Sequence, residues 1–434
     1  MQQAAPHDFS GYRDFTDVLR GLAESQKPDA AWNIQVNASL DGVAGSELRR
    51  LVELPARRAC GAFFTGSVLA ERLLGNIQFK ATGNFIYDPT VGAGDLLLAA
   101  ARRMPLKSTL YQTLKSWGRC LAGTDLHQEF VDSAKLRLAL LARQRHGGNQ
   151  RLPAKWEMLL PHLHCVNGLT QKALFSKATH LLMNPPYSMA KAPPDCSWAG
   201  GRVSEAALFI VRALEQTSKD TRLLAILPDV LRSGSFQHLW RERISDLAKI
   251  DTVERYGVFD SSADVDVFLL DVRRRGKGSS KGKRWPDLKE GTGTTIGDFF
   301  EVHVGRVVPH RDPKKGPRHP YIHSRIAPLW QEMTDFPESR RHQGEAYKPP
   351  FVVVRRTSRP GDAYRASATV VLGDSPVVVE NHLIVCAPTD QSADTCRALM
   401  KQLRTQETNE FLDERIRCRH LTVGAVASIP FSLP

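Results

Sequence analysis

The segment Asn184-Pro185-Pro186-Tyr187 combines residue types that could bind a planar amino group. It follows the apolar run 181–183, and because proline cannot donate to a sheet ladder, a strand must end here. The side-chain oxygen of Asn184 and the backbone carbonyl of Pro185 offer two acceptors to one amino group. Such acceptors keep the nitrogen lone pair available and favour the tetrahedral nitrogen of the attacked state. The Tyr187 ring could stack on the aromatic ring that carries the amine.

A second candidate site lies upstream, in the segment YDPTVGAGDLLL (87–98). A predicted strand ends at Asp88, a loop carries Gly92 and Gly94, and a predicted helix follows. Such a loop brings backbone N–H groups at a helix start close to a ligand, although two glycines are also typical of a plain tight turn. Asp125 ends the next predicted strand, where a carboxylate can accept hydrogen bonds from ribose hydroxyls or serve as a helix cap. The combination favours a ligand that contains a nucleoside.

The elements that must position these residues alternate between strand and helix from residue 83 to residue 274. Predicted strands cover 83–89, 119–125, 178–184, 222–229, 250–257 and 265–274. Predicted helices cover 94–103, 128–144, 204–216 and 236–248, the third with Ser204 as its cap. This alternation predicts an α/β fold with a doubly wound sheet, which binds ligands outside the carboxyl ends of its strands. The last two strands have a short connection and should pair antiparallel.

The charge balance indicates a polyanionic partner. The chain has 434 residues, a net charge of +13 and an isoelectric point near 9.5, which favours nucleic acid over a membrane surface. The stretch 273–285 is rich in Gly and Lys and reads as a linker or exposed loop. Residues 275–434 carry 25 basic and 18 acidic residues. Four cations in the loop 305–325 suit phosphate contacts, unless the loop is only a solvated surface: Arg311, Lys314, Lys315 and Arg318.

Other features argue against a membrane, an export pathway or a metal. The N-terminus has no signal-peptide pattern, and apolar runs such as 96–101 are too short to span a bilayer. The seven cysteines are scattered without a C-x-x-C pair, as is typical of reduced thiols. We therefore expect a cytoplasmic protein without a metal site or membrane contact.

Taken together, the motifs resemble those of the gamma-class S-adenosylmethionine-dependent DNA adenine-N6 methyltransferases of restriction–modification systems. Asn-Pro-Pro-Tyr looks like their motif IV, DPTVGAGDLL (88–97) like motif I, and GAFFTGSVLAERL (61–73) like motif X. The motif order also matches. Short helical patterns predict a helical segment at 1–60. The resemblance implies a Rossmann-like methyltransferase domain at 61–274 with an antiparallel last strand, and a basic, mixed α/β target-recognition domain at 275–434.

The resemblance also implies roles for individual residues. Asn184, Pro185 and Tyr187 would be catalytic, and Phe259 would pack on the flipped-out base opposite Tyr187. Contacts to S-adenosylmethionine would come from Phe64, Thr65, Asp88, Gly92, Gly94, Asp125 and Asn167. The partner would be double-stranded DNA. The chain departs from the common motifs at Gly66, Val91 and Asn167.

Several alternatives share part of this pattern. Cytosine N4, RNA adenine and a protein glutamine amide also present an amino group to the same kind of acceptor pair. A different class is a catalytically silent DNA-binding subunit of a defence complex. Because the sequence shows no nuclease motif, any coupled cleavage would need a separate nuclease, and a specificity subunit is a further possible partner.

Overall fold

The structure, a computed structural model, describes residues 9–26, 29–79, 83–259, 265–276, 285, 293–416 and 419–433. It divides into two compact units. The first comprises Met1–Pro228 and Leu239–Trp285, and the second Asp229–His238 and Pro286–Pro434. Most of the stretch 273–285 lies outside the described residues. The predicted domain limits at residues 60 and 274 stay predictions.

Helices precede the sheet of the first unit. They are α1 (Arg13–Glu24), α2 (Ala30–Ser39), α3 (Val43–Leu51), α4 (Leu54–Cys60) and α5 (Ser67–Leu74). Asp29 accepts a hydrogen bond from the Trp32 N–H and so caps the start of α2. The buried side chains of α1 and α2, among them Leu19 and Trp32, belong to the same hydrophobic core as the sheet residues Ile86 and Leu121. The helical segment therefore packs as part of the first unit.

The chain then alternates between strands and helices. In order these are β1 (Ile86–Asp88), α6 (Asp95–Arg102), α7 (Leu110–Cys120), β2 (Leu121–Asp125), α8 (Gln128–Arg145), β3 (Leu163–Cys165), α9 (Lys172–Lys177), β4 (His180–Met183), β5 (Met189–Lys191), β6 (Arg202–Ser204), α10 (Glu205–Gln216), β7 (Arg222–Pro228), α11 (Asp229–Ser233), α12 (His238–Leu247), β8 (Ala248–Val258) and β9 (Asp266–Arg274). The predicted second strand is shorter than expected, because Arg119 and Cys120 end α7.

Seven strands form the central sheet in the order β3-β2-β1-β4-β7-β9-β8. The strands from β3 to β7 run parallel, and β9 pairs antiparallel with both β7 and β8. The doubly wound, Rossmann-like sheet with its antiparallel last strand is confirmed. The strand order reverses at β1 and β4, which is the point where such sheets bind ligands.

Ser204 does not act as the predicted helix cap. It precedes α10, but its hydroxyl is buried without a hydrogen-bond partner and makes no cap bond. Ser204 also ends β6, and the pairing with β5 continues into the helix start, where the N–H of Glu205 binds the Ser188 carbonyl at 2.9 Å. Glu205 is the first residue of α10, so this bond is separate from the one that a serine cap would accept from the second or third residue of the helix.

The second unit mixes strands and helices, as predicted for the C-terminal part. Its elements continue with α13 (Ile296–Phe299), β10 (Phe300–Val304), β11 (Arg318–Ile322), β12 (Glu332–Met333), β13 (Ser339–Arg341), β14 (Phe351–Arg355), β15 (Ala368–Val371), β16 (Val378–Val379), β17 (Leu383–Pro388), α14 (Ala393–Leu403), α15 (Gln406–Arg415) and α16 (Val423–Ala427). One sheet has the order β10-β17-β14-β15-β12 and a smaller one the order β13-β11-β16. Among the helices described in either unit, none combines the length and apolar character needed to cross a bilayer.

Candidate active site

The candidate residues of the first unit meet at the carboxyl ends of neighbouring strands. Asp88 ends β1, Asp125 ends β2 and Asn184 follows β4. A cleft opens there, and its lining includes Phe64, Asp125, Asn167 and Asn184. An adjoining cleft is lined in part by Thr65, Asp88 and Gly92. The structure thus brings together the predicted cofactor residues, except that Gly94 shapes the loop without lining either cleft.

The glycine loop, residues 89–94 between β1 and α6, needs both of its glycines. Gly92 has a φ of +48° and Gly94 a φ of +88°. A Cβ added to Gly92 would lie 3.0 Å from the Phe64 ring, and one added to Gly94 would lie 3.0 Å from the Cβ of Ala134. Positive φ and close packing therefore exclude larger residues at both positions, and at Gly92 the loop also lines the cleft.

Asp88 is a buried carboxyl whose ionised form has few stabilising partners in the protein. It is 1% exposed, and its Oδ1 accepts hydrogen bonds from the N–H and hydroxyl of Thr90 at 2.9 and 3.3 Å. Burial outweighs these bonds and raises the pKa of Asp88 to about 7. Within the described part of the chain, no Lys or Arg forms an ion pair with it. The site therefore favours a positively charged ligand group beside Asp88.

Asp125 is held by backbone donors. Its Oδ2 accepts from the Gly92 N–H at 3.1 Å, and its Oδ1 accepts from the His127 N–H at 3.0 Å. Burial raises the pKa of Asp125 to about 6. The Leu126 N–H also contributes a hydrogen bond. A carboxylate offers about four acceptor positions, so Asp125 can still accept from a hydroxyl group. His127, not Asp125, occupies the cap position of α8.

The Asn184 side chain has a single orientation that satisfies its neighbours. Its Nδ2 donates to the Phe63 carbonyl at 3.2 Å and to the Thr65 hydroxyl at 3.1 Å. The Tyr187 hydroxyl donates to its Oδ1 at 2.9 Å. A flipped amide would set its oxygen against the Phe63 carbonyl, two acceptors without a hydrogen between them. Segment 61–73 therefore fixes the acceptor oxygen of Asn184.

Packing also holds the Asn-Pro-Pro-Tyr segment against residues 61–73. Pro185 is buried and Pro186 half-buried. Gly61 has a φ of +66°, and a Cβ there would lie 2.3 Å from the Cβ of Pro186. Only glycine permits this approach, so Gly61 is a site-shaping residue that the sequence analysis did not single out.

Tyr187 and Phe259 contact each other. Their ring centroids are 6.1 Å apart and their planes are inclined by 75°, an edge-to-face arrangement. Burial raises the pKa of the Tyr187 hydroxyl, which also lies 3.3 Å from the Ile226 carbonyl. In this arrangement the two rings do not form a parallel slot for a base, so stacking on both would require one ring to turn.

Asn167 lines the cleft, but its side chain has a local partner. Its Oδ1 accepts from the Leu169 N–H at 3.0 Å and caps the short 3-10 turn Gly168–Thr170. Gly168 approaches the glycine loop closely, because a Cβ there would lie 2.1 Å from the Pro89 carbonyl oxygen. The turn thus forms one wall of the cleft.

Arg137 is a structural partner of the site that the sequence analysis missed. It is fully buried on α8 and donates to the Asp95 carboxylate at 2.8 Å and to the Ala93 carbonyl at 2.6 Å. The other oxygen of Asp95 accepts from the Gly66 N–H at 2.9 Å, which links the glycine loop to segment 61–73. The signal was present in the sequence, because Arg137 follows Phe130 by seven residues and so shares the apolar face of α8.

The four predicted phosphate contacts lie in the second unit and are all exposed: Arg311, Lys314, Lys315 and Arg318. Arg311 forms an ion pair with Asp312 at 3.4 Å, and Arg318 donates to the Ser339 hydroxyl at 2.7 Å. Beneath the loop, the buried Arg340 donates to the Asp312 carbonyl at 2.8 Å. The loop is therefore anchored while its cations face solvent. Across both described units, no group of three His, Cys, Asp or Glu residues could hold a metal ion.

No protein-family model and no curated protein matches the sequence. Solved structures do match the chain. The type IIL restriction–modification enzyme MmeI in complex with DNA aligns over 88% of this chain and 70% of its own, with a TM-score of 0.53 and 13% identity. This likeness shows the fold alone.

Two further solved structures come from type I systems. The EcoKI M protein aligns over 64% of this chain and 56% of its own, with a TM-score of 0.37 and 17% identity. The methyltransferase subunit from Streptococcus thermophilus aligns over 54% and 51%, with a TM-score of 0.34 and 22% identity. The chain spans about half the length of these two proteins.

Proposed function

We propose that this protein transfers a methyl group from S-adenosylmethionine to the N6 amino group of adenine in DNA, within a restriction–modification or defence system in the cytoplasm. The observation that carries the proposal is the fixed orientation of Asn184. Its oxygen is held at the end of β4, beside a cleft that contains the buried carboxyl of Asp88 and the half-buried carboxyl of Asp125, both with raised pKa values. Such shifts are typical of functional sites.

The residues of the cleft fit S-adenosylmethionine. Asp88 lacks a cation of its own and would pair with the ammonium group of the methionine part. Asp125 would accept hydrogen bonds from the ribose hydroxyls. Phe64, Thr65, Gly92 and Gly94 would shape or contact the cofactor, and Asn167 would lie at its adenine. When bound, the cofactor supplies a methyl group on a positively charged sulfur, so no nucleophilic residue is required.

The Asn-Pro-Pro-Tyr segment would bind the accepting amine. The Tyr187 hydroxyl occupies one acceptor position of the Asn184 oxygen, and the second remains for an N–H of the substrate. The Pro185 carbonyl would accept the other N–H. Positive charge develops on the nitrogen during methyl transfer, and two fixed acceptors stabilise it without reorganising.

Adenine N6 lies inside the duplex, so the base must be flipped out before reaction. Tyr187 and Phe259 would contact the flipped base once their edge-to-face contact opens. Phosphate contacts would come from the exposed cations of the second unit, in line with the net charge of +13. A separate nuclease or specificity subunit would complete the system.

The test of this proposal is long-read sequencing of DNA from cells that express the native protein or the Asn184→Ala variant. We expect N6-methyladenine at a fixed sequence with the native protein and none with the variant. Methylated cytosine would instead indicate the N4 reaction. Unmodified DNA from cells that contain folded, cofactor-binding protein would favour RNA or glutamine as substrate, or a silent subunit.

The role of the exposed loop has its own test. Replacing Arg311, Lys314, Lys315 and Arg318 one at a time by Gln should weaken binding to all duplex sequences and lower the salt slope by about 0.9 for each phosphate that is no longer neutralised. The matched control is Arg397→Gln in the same unit, because Arg397 is paired with both Glu332 at 2.7 Å and Asp394 at 2.8 Å, whereas the 75% exposed Arg311 lies 3.4 Å from Asp312. A salt slope equal to that of the control variant would indicate that the loop is only a solvated surface.

A further inference from the structure

The hairpin formed by β5 and β6 follows the Asn-Pro-Pro-Tyr segment directly. The Glu205 N–H binds the Ser188 carbonyl at 2.9 Å, and the Ala192 N–H binds the Gly201 carbonyl at 2.8 Å. Val203 is only 4% exposed, which anchors one face of the hairpin in the first unit. The hairpin is therefore a fixed projection beside the candidate active site.

The other face of the hairpin carries a pair of like charges. Lys191 lies directly opposite Arg202, and both are exposed. The hydrogen-bonded pairs are 188 with 205 and 192 with 201, so 191 and 202 form a non-hydrogen-bonded pair. Side chains approach most closely at such pairs, with Cα atoms about 4.5 Å apart, and like charges there destabilise the hairpin.

The chain does not neutralise this pair. Among the residues that the structure describes, neither Lys191 nor Arg202 has an ion-pair partner. The nearby Asp195 is bound by Arg212 at 2.5 Å, and Glu205 is bound by the Ser188 hydroxyl. Arg202 donates one bond to the Met189 carbonyl at 3.1 Å, which turns its guanidinium toward the Asn-Pro-Pro-Tyr end of the hairpin. A destabilising pair of unneutralised cations points to an external anion.

We propose that Lys191 and Arg202 together bind a backbone phosphate of the DNA strand that carries the flipped nucleotide. The inference rests on the proposed function. Lys191 follows Tyr187 by four residue steps, a span of at most about 14 Å in extended chain. That span corresponds to roughly four nucleotide steps of 3.4 Å, so the phosphate lies within a few nucleotides of the target base. An Arg fork and a Lys ammonium are the side chains that bind phosphate.

The experiment measures the salt dependence of duplex DNA binding by the full chain. The test variant is Lys191→Gln with Arg202→Gln, and the control is Arg50→Gln with Arg273→Gln. The control removes the same charge, but its arginines are paired with Glu47 and Asp251, each at 2.6 Å. We expect the test variant to lower the slope by about 0.9 for one phosphate contact, with unchanged S-adenosylmethionine affinity and an unchanged slope in the control.

A second variant separates DNA contact from hairpin stability. Arg202→Glu makes the same net charge change as the double variant but would replace repulsion by a cross-strand ion pair with Lys191, so DNA binding should weaken while the melting temperature does not fall. The proposal is overturned if the native protein binds DNA and both variants keep its slope and affinity. If the native protein shows no salt-dependent DNA binding, the proposed function fails together with this inference.

Discussion

Asp88 offers a quantitative prediction, because the same burial that prepares it for a cation should destabilise the protein alone. Its pKa rises from 3.8 to about 7, a shift of roughly three units. At about 1.4 kcal/mol per unit, the ionised carboxylate costs on the order of 4 kcal/mol without ligand. Because the side chain is 1% exposed, solvent screening does little to reduce this cost.

The direction of the pH dependence follows from the sign of the shift. The protonated carboxyl favours folding, so its contribution is complete below pH 3.8 and is lost as the pH rises through about 7. Asp88→Asn keeps an oxygen for the Thr90 donors and cannot ionise. The variant should therefore gain up to roughly 4 kcal/mol in unfolding free energy over the native protein at pH 8, and only about 0.5 kcal/mol at pH 4. Denaturant titrations across this range, without ligand, measure the difference.

The affinity for the cofactor should change with pH in the opposite direction to the stability. Native affinity for S-adenosylmethionine should increase as the pH rises from 5.5 to 7.5, because Asp88 must ionise to pair with the ammonium group. Asp88→Asn should bind more weakly and lose much of this pH dependence, which calorimetry can follow. The reasoning is refuted if the variant gains no stability at pH 8, or if it binds the cofactor as the native protein does.

Three further predictions concern the neighbouring residues. Asp125→Ala should weaken S-adenosylmethionine binding by roughly 1–3 kcal/mol in calorimetry, and unchanged affinity would leave Asp125 only as an acceptor for backbone N–H groups. Tyr187→Phe loses the hydroxyl that holds Asn184, so kcat should fall roughly 2- to 10-fold with cofactor affinity unchanged; an unchanged kcat would contradict this role. A Tyr187→Ala, Phe259→Ala double variant should leave 2-aminopurine at the target dark, whereas brightening equal to that of the native protein would make Phe259 ordinary core.

The sheet was predictable from the sequence because the patterns that specify its strands and turns lie within short segments of the chain. Alternating patterns defined the long elements, and Pro185 and the glycines of the 89–94 loop fix backbone geometry at single positions. The same locality explains why Asp88, Asp125 and Asn184 were expected at strand ends, where the structure has them.

Features that depend on distant parts of the chain were not predictable in this way. Arg137 contacts Ala93, Asp95 and also the Ser39 carbonyl, 98 residues away. The β5–β6 hairpin has strands of three residues each, too short for a clear alternation. The edge-to-face contact of Tyr187 with Phe259 depends on side-chain packing, which motif spacing does not encode.

The most direct test of the central claim is methyl transfer in vitro. Purified protein is incubated with duplex DNA and methyl-labelled S-adenosylmethionine, and the DNA is digested to nucleosides. The account predicts label in N6-methyl-2′-deoxyadenosine with the native protein, and none with Asn184→Ala even though that variant still binds the cofactor. Label in another nucleoside, equal label with Asn184→Ala, or unlabelled DNA from a cofactor-binding native protein would contradict it.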